Sequence, residues 1–133
     1  MNSKLFLTII NVSLGLSLFS SLPAHAESQR YTCSYTHATY TAPFMKTPGT
    51  RNCPEGRCSY EIVITDSHAS INNVSGYSVQ QNDSVITLQR TAKDPVMGGM
   101  DTTTFKLQKS DMSFESVKTT TPSVVLTTKG QCS

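Results

Sequence analysis

Two cysteines five positions apart, Cys53 and Cys58, bracket Pro-Glu-Gly-Arg in the first half of the chain. Thiols so spaced can form a redox centre, half of a metal site or a staple. A redox dithiol wants Cys-x-x-Cys at a helix start. Here four residues intervene, and the residues that follow, 59–65, read as a strand. A zinc site wants close Cys or His pairs that converge on a tetrahedron. Cys33 and Cys132 each stand alone, and His37 and His68 have no partner at a fitting distance. The reading that remains is a structural disulfide, with Pro54 presetting φ and Gly56 accepting positive φ in the turn.

All four cysteines lie beyond residue 26, and an even number in a short exported chain reads as a disulfide framework. Three pairings are open, and Cys53–Cys58 with Cys33–Cys132 is the favoured one. The second pair joins the two ends of the chain that follows residue 26, and closing so long a loop removes on the order of 4–5 kcal/mol of unfolded-state entropy.

The other reactive side chains form no catalytic signature. There is no nucleophile elbow, metalloprotease helix motif, phosphate loop or dinucleotide fingerprint. Asp66, Ser67 and His68 are a triad in composition only, because adjacent residues of an extended chain point to opposite faces. Glu55, Glu61, Asp94 and Asp101 could meet as paired carboxylates, but nothing local brings them together. The expectation is a protein without catalysis, cofactor or metal, with little room for a deep pocket.

Two long loops carry the remaining candidates. Residues 42–57 hold Phe44, Lys46, Arg51 and Arg57; residues 91–101 hold Lys93, Met97 and Met100. Apolar anchors beside Arg and Lys suit a binding surface on a rigid scaffold. Met97 and Met100 also form a Met-x-x-Met pair, and thioethers are soft ligands suited to Cu(I), with Met45, Met112, His37 or His68 as further donors. The same methionines would equally serve as an adaptable surface.

Tyr31-Thr32-Cys33 near the start of the exported part, with Cys132 at its end, is similar to the layout of the periplasmic and membrane-bound inhibitors of c-type lysozyme. The Ser-Gly-x-x-Tyr loop of that family is missing, since Ser75-Gly76-Tyr77 has another spacing. The resemblance therefore implies a small exported inhibitor without supplying the residues that would inhibit.

The segments that must position these residues follow from the rest of the 133-residue chain. Residues 1–26 read as a bacterial-type signal peptide: Lys4, an apolar run over 5–19, a break at Pro23 and Ala24-His25-Ala26 before the cut. The apolar run is too short for a membrane span. Residues 27–133 then form one domain, periplasmic or secreted. That part carries ten basic and nine acidic residues, a balance that argues against nucleic acid and supplies no polybasic membrane patch.

Its 107 residues include 30 Ser and Thr interleaved with Val, Ile, Tyr and Phe, a strand-forming composition. The pattern predicts strands at 31–41, 58–65, 68–80, 84–90, 102–108, 112–119 and 123–132. In the first, Tyr31, Cys33, Tyr35, His37 and Thr39 would share a face. Segment 68–80 would break near Asn72-Asn73 or Gly76. Seven or eight such strands form an all-β, meander-rich antiparallel barrel or a β-sandwich, stapled by two disulfides. An even count favours the barrel, because first and last strands then lie antiparallel and bring Cys33 to Cys132. The function expected is a non-catalytic binding module or inhibitor for a protein partner. The alternatives are a carrier of a small ligand or copper in the barrel or on the methionine loop, and a small hydrolase.

Overall fold

The computed structural model describes residues 27–54, 58–121 and 123–133. The proposed leader and Glu55, Gly56, Arg57 and Pro122 lie outside them. In chain order the strands are β1 (Gln29–Thr41), β2 (Gly49–Asn52), β3 (Ser59–Thr65), β4 (His68–Ile71), β5 (Val74–Gln81), β6 (Val85–Lys93), β7 (Met100–Gln108), β8 (Ser113–Thr119) and β9 (Val125–Cys132). Every pairing is antiparallel. The run from β3 to β9 is a meander, and β1 closes it by pairing with β3 on one side and β9 on the other. Eight strands thus make a closed barrel, and β2 adds to the far half of β1. No helix among the described residues is long and apolar enough to cross a membrane.

Closure joins the chain's ends. Cys33 pairs with Cys132 across β1 and β9, and the two are disulfide-bonded. Their neighbours need a small residue. A Cβ on Gly130 would overlap the Ser34 carbonyl and lie 2.8 Å from the Phe114 ring. Only glycine lets the seam strands approach so closely.

The barrel has two unlike ends. The turns at 66–67, 82–84 and 109–112 and both described termini lie at one end. The turn at 72–73 and the loops at 42–48, 94–99 and 120–124 lie at the other. The first half is packed solid. Inward residues Ile62, Ile64, Ile86, Leu88, Phe105 and Leu107 are essentially inaccessible. Above them Tyr60 stacks on Tyr35 with ring centres 5.0 Å apart and meets Phe105 and Phe114 edge-on at 6.0 and 5.7 Å.

Several sequence expectations change. A bulge between Tyr35 and Ala38 shifts the β1–β9 register. It inverts the alternation, so Ala38 is buried and His37 is exposed rather than sharing the face of Cys33. The 42–57 loop contains β2, whose alternation is too short to read. Segment 68–80 does split, at Asn72-Asn73, both in the left-handed region that Asn tolerates. The 91–101 loop shrinks to 94–99, because β6 and β7 pair out to Lys93 and Met100. The Cys53–Cys58 bridge forms as expected. Asn52 pairs with His37 and Ser59 with Ser34, so the ladder is interrupted opposite Tyr35 and Thr36. Cys53 N–H donates to Thr36 and Tyr35 N–H to Cys58, so the bridge holds the two residues that keep the ladder.

The two disulfides should differ in weight. Replacing Cys33 and Cys132 by Ala, which opens a loop of sequence separation 99, should lower unfolding free energy by about 4–5 kcal/mol in urea titration. The Cys53/Cys58 replacement, with separation 5, should lower it by roughly 2 kcal/mol. Gly130→Ala should cost more than about 2 kcal/mol although it only adds a methyl; an unchanged urea midpoint would contradict the seam geometry.

Candidate functional site

The inward positions of four successive strands change character at matching heights. In one row across β6 to β9, Ile86, Leu107, Phe114 and Gly130 are neighbours. The next row is Leu88, Phe105, Ser116 and Thr128, and the one above it Arg90, Thr103, Lys118 and Leu126. Apolar packing gives way to hydroxyls and then to charge. Above the second row the barrel is a hollow of about 560 Å³, walled by Tyr77, Arg90, Asp101, Thr103, Lys118 and Leu126 among others. Side chains fill one half of the barrel, and the short β4–β5 hairpin leaves the other half open.

The floor is Tyr60. Its ring belongs to the aromatic cluster, and its hydroxyl meets Thr128 Oγ1 at 3.0 Å. Ser116 and Thr128 are buried polar residues at this level. Arg90 is steered by β5, where Gly76 adopts φ 95°. Its side chain passes over that glycine, and Nε donates to the Ser75 carbonyl at 3.0 Å. On the adjoining strands β7 and β8, Lys118 Nζ lies 3.3 Å from Asp101 Oδ2. Asp101 Oδ1 is buried and has no hydrogen-bond partner. The Asp94 side chain interacts with that of Asp101, so two of the four carboxylates weighed from sequence come together beside the hollow.

The mouth is framed by loop 94–99. Asp94 Oδ1 accepts the N–H of Val96 at 2.7 Å and of Met97 at 3.0 Å. Those two amides, Met97 first, hold the Asp94 carboxyl below its ordinary range. Gly98, at φ 74°, closes the loop. Thr121 Oγ1 donates to the Met100 carbonyl at 3.0 Å and ties this loop to 120–124. Beside the mouth Tyr40, Arg51, Lys118, Val124 and Leu126 bound a second hollow of about 580 Å³.

Of the residues singled out from sequence, Phe44 and Lys46 lie in loop 42–48, Arg51 on β2 and Lys93 at the end of β6. Met97 is exposed in loop 94–99 and Met100 opens β7. The fold gathers all six at the open end, and Lys93 and Arg51 line its hollows. Arg57 lies outside the described residues. Of the further donors weighed for copper, Met45 shares the open end with Met97 and Met100, while Met112 and His68 are at the closed end and His37 on the middle of β1. Among the described residues no three His, Cys, Asp or Glu are arranged to hold a metal. Asp66, Ser67 and His68 form the β3–β4 turn at the closed end, far from the hollow. Of the four carboxylates, Glu61 bonds Thr32 at 3.2 Å on the outside, Asp94 frames the mouth and Asp101 lines the hollow.

Arg90, Ser116, Lys118 and Thr128 were not singled out. A signal for them exists in the strands themselves, where alternating inward positions run Ile86-Leu88-Arg90 and Phe114-Ser116-Lys118. It becomes meaningful only once the registers align those breaks. In comparisons with protein families, curated proteins and solved structures, nothing matches the chain.

The Asp94 turn makes a pH prediction. Its pKa is lowered on folding, so its contribution is complete above the ordinary aspartate range and is lost as pH falls through the lowered value. The Val96 and Met97 amide resonances should titrate with a midpoint below that of a free aspartate. A midpoint at or above it would contradict the turn.

Proposed function

We propose that the protein is an exported, non-catalytic receptor for a small polar ligand that carries an anionic group and at least one hydrogen-bond donor. The observation that carries this reading is a hollow at which Arg90 and the Lys118–Asp101 pair meet the hydroxyls of Tyr60, Thr103, Ser116 and Thr128. The ligand's acidic group would meet the guanidinium, whose planar fork suits carboxylate or phosphate. The Tyr60, Ser116, Thr103 and Thr128 hydroxyls can donate or accept and so fix orientation.

Read from sequence alone, the decorated loops suggest a protein-binding module; the hollow supports the carrier reading instead. The rigid scaffold suits it, since a pre-formed cavity loses little conformational freedom on binding. Export through the leader at residues 1–26, with release to the periplasm or beyond, belongs to the same proposal. The two disulfides fit an oxidising compartment.

Amide-shift titration with glycerol phosphate, glucuronate and citrate tests the reading. At least one should move resonances around Arg90, Asp101 and Lys118 while leaving the closed end unmoved. Arg90→Met and Asp101→Asn should each weaken that ligand by about tenfold or more, the scale of a lost charge-assisted hydrogen bond. No shift with any of the three, together with a bare mass by native mass spectrometry of protein purified without unfolding, would overturn it.

A further inference from the structure

Exposed apolar side chains are confined to one end of the barrel. Among the described residues the large ones are Tyr40 and Phe44 on one side of the mouth, Val74 at the β4–β5 turn, Val96, Met97 and Met100 at loop 94–99, and Val124 and Leu126 at the start of β9. None lies at the closed end. Phe44 and Val96 are the most exposed, at 87% and 86%. Loop tips this bare of cover are not core residues that failed to pack.

Charge divides along the same axis. Among the described residues the open half holds Lys46, Arg51, Arg90, Lys93 and Lys118 against Glu61, Asp94 and Asp101. In the rest of them Arg30, Lys106, Lys109 and Lys129 face Glu27, Asp66, Asp83, Asp111 and Glu115. Among the described residues five cations thus oppose three anions at one end, and four oppose five elsewhere. The near-neutral total therefore hides a polarised molecule. The sequence shows no basic patch because these cations come from three strands and a loop.

We propose that the open rim docks on an anionic lipid surface, with Phe44, Val96, Met97 and Val124 entering the boundary between headgroups and acyl chains and an anionic headgroup entering the mouth. The inference deepens the receptor reading and rests on it for the headgroup, not for the rim. Apolar tips interleaved with Lys and Arg match an interface that is apolar below and negative above. The hollow behind the rim offers a headgroup Arg90, Lys118 and the hydroxyls of Tyr60, Thr103, Ser116 and Thr128, set among apolar side chains such as Ile71 and Leu126. The anionic half of the barrel then faces away from the lipid, so the molecule's own charge orients it as it approaches.

The chain contains no tryptophan, so one introduced residue reports on its own surroundings. Val96→Trp places the reporter on the rim, and Asp83→Trp places it on a closed-end turn. With phosphatidylcholine vesicles doped with phosphatidylglycerol, the first should shift to the blue and the second should not; with phosphatidylcholine alone both shifts should be small. Added salt should reverse the effect. In co-sedimentation, Val96→Asp with Met97→Asp should lower vesicle affinity by about tenfold or more, because these exposed tips supply apolar contact without supporting the fold. An unchanged melting temperature would confirm that folding is intact. Free glycerol phosphate separates the sources: shifts at Arg90 and Asp101 with no vesicle binding by the wild-type chain would keep the small-ligand receptor and overturn lipid docking. Equal blue shifts at both reporters, or a soluble protein partner that the double Asp variant loses while vesicles stay unbound, would also overturn it.

Discussion

The β1–β9 seam is the constraint on which the barrel depends. An open eight-stranded meander would leave two long edges of unpaired N–H and C=O groups, a template for aggregation. Closure removes both edges at once, but it is the least local contact in the molecule. It joins residues separated by 99 positions, so its loop-closure entropy is the largest the chain must meet. Two features secure it. The Cys33–Cys132 bond makes the contact covalent, and Gly130 lets β9 lie against Ser34 without a clash. The β1 bulge follows from the same seam. It changes the inward phase of β1 midway, so Tyr35 can join the aromatic floor while Ala38 takes the inward place above it.

From that seam the barrel divides its interior into layers. Below Tyr60 the side chains interdigitate at core density, and the Phe105–Phe114 stack at 5.0 Å lies at the division. Above it the inward positions of β6 to β8 are small, hydroxylic or charged, with Leu126 beside them on β9, so the walls do not meet across the axis. The hollow is therefore not a packing defect spread through the core. Leu88 yields to Arg90 and Phe105 to Thr103 at one level on β6 and β7, and on β8 Phe114 yields to Ser116 one row lower. Polar groups are tolerable there because the mouth is open to water, and the one at odds with that rule is Asp101 Oδ1.

Much of the architecture was legible in residues. Alternation of Tyr60, Ile62 and Ile64, or of Phe105 and Leu107, marks strands at once. The two lone cysteines near the ends of the segment that follows residue 26 imply which strands adjoin, and hence closure. What escaped depends on register. The β1 bulge leaves no trace in composition, so His37 and Thr39 read as inward. β2 has four residues and no apolar period. The ends of β6 and β7 look like loop because Pro95, Gly98 and Gly99 lie so near. The site divides in the same way. Rim residues such as Phe44, Lys93 and Met97 stand out as odd loop composition. Wall residues such as Arg90 and Lys118 read as ordinary surface until the pairing turns them inward.

The two ends can be so different because stability is concentrated at one of them. The close-packed residues, the buried disulfide and the turns braced by Asn82 and Asp111 all belong to the closed half. The Cys53–Cys58 bridge sits beside Tyr35 at the height of the floor and holds β2 and β3 to β1 where the ladder is interrupted. Above that height little of the hydrophobic core remains to be disturbed. A buried carboxylate oxygen, an exposed Phe44 and a methionine-bearing loop each weaken a fold when placed in its core. At the open end they leave the cooperative unit intact, as binding elements drawn from the less stable part of a protein generally do. A small barrel that closes and packs one half firmly is thereby left with a second half whose composition folding does not dictate.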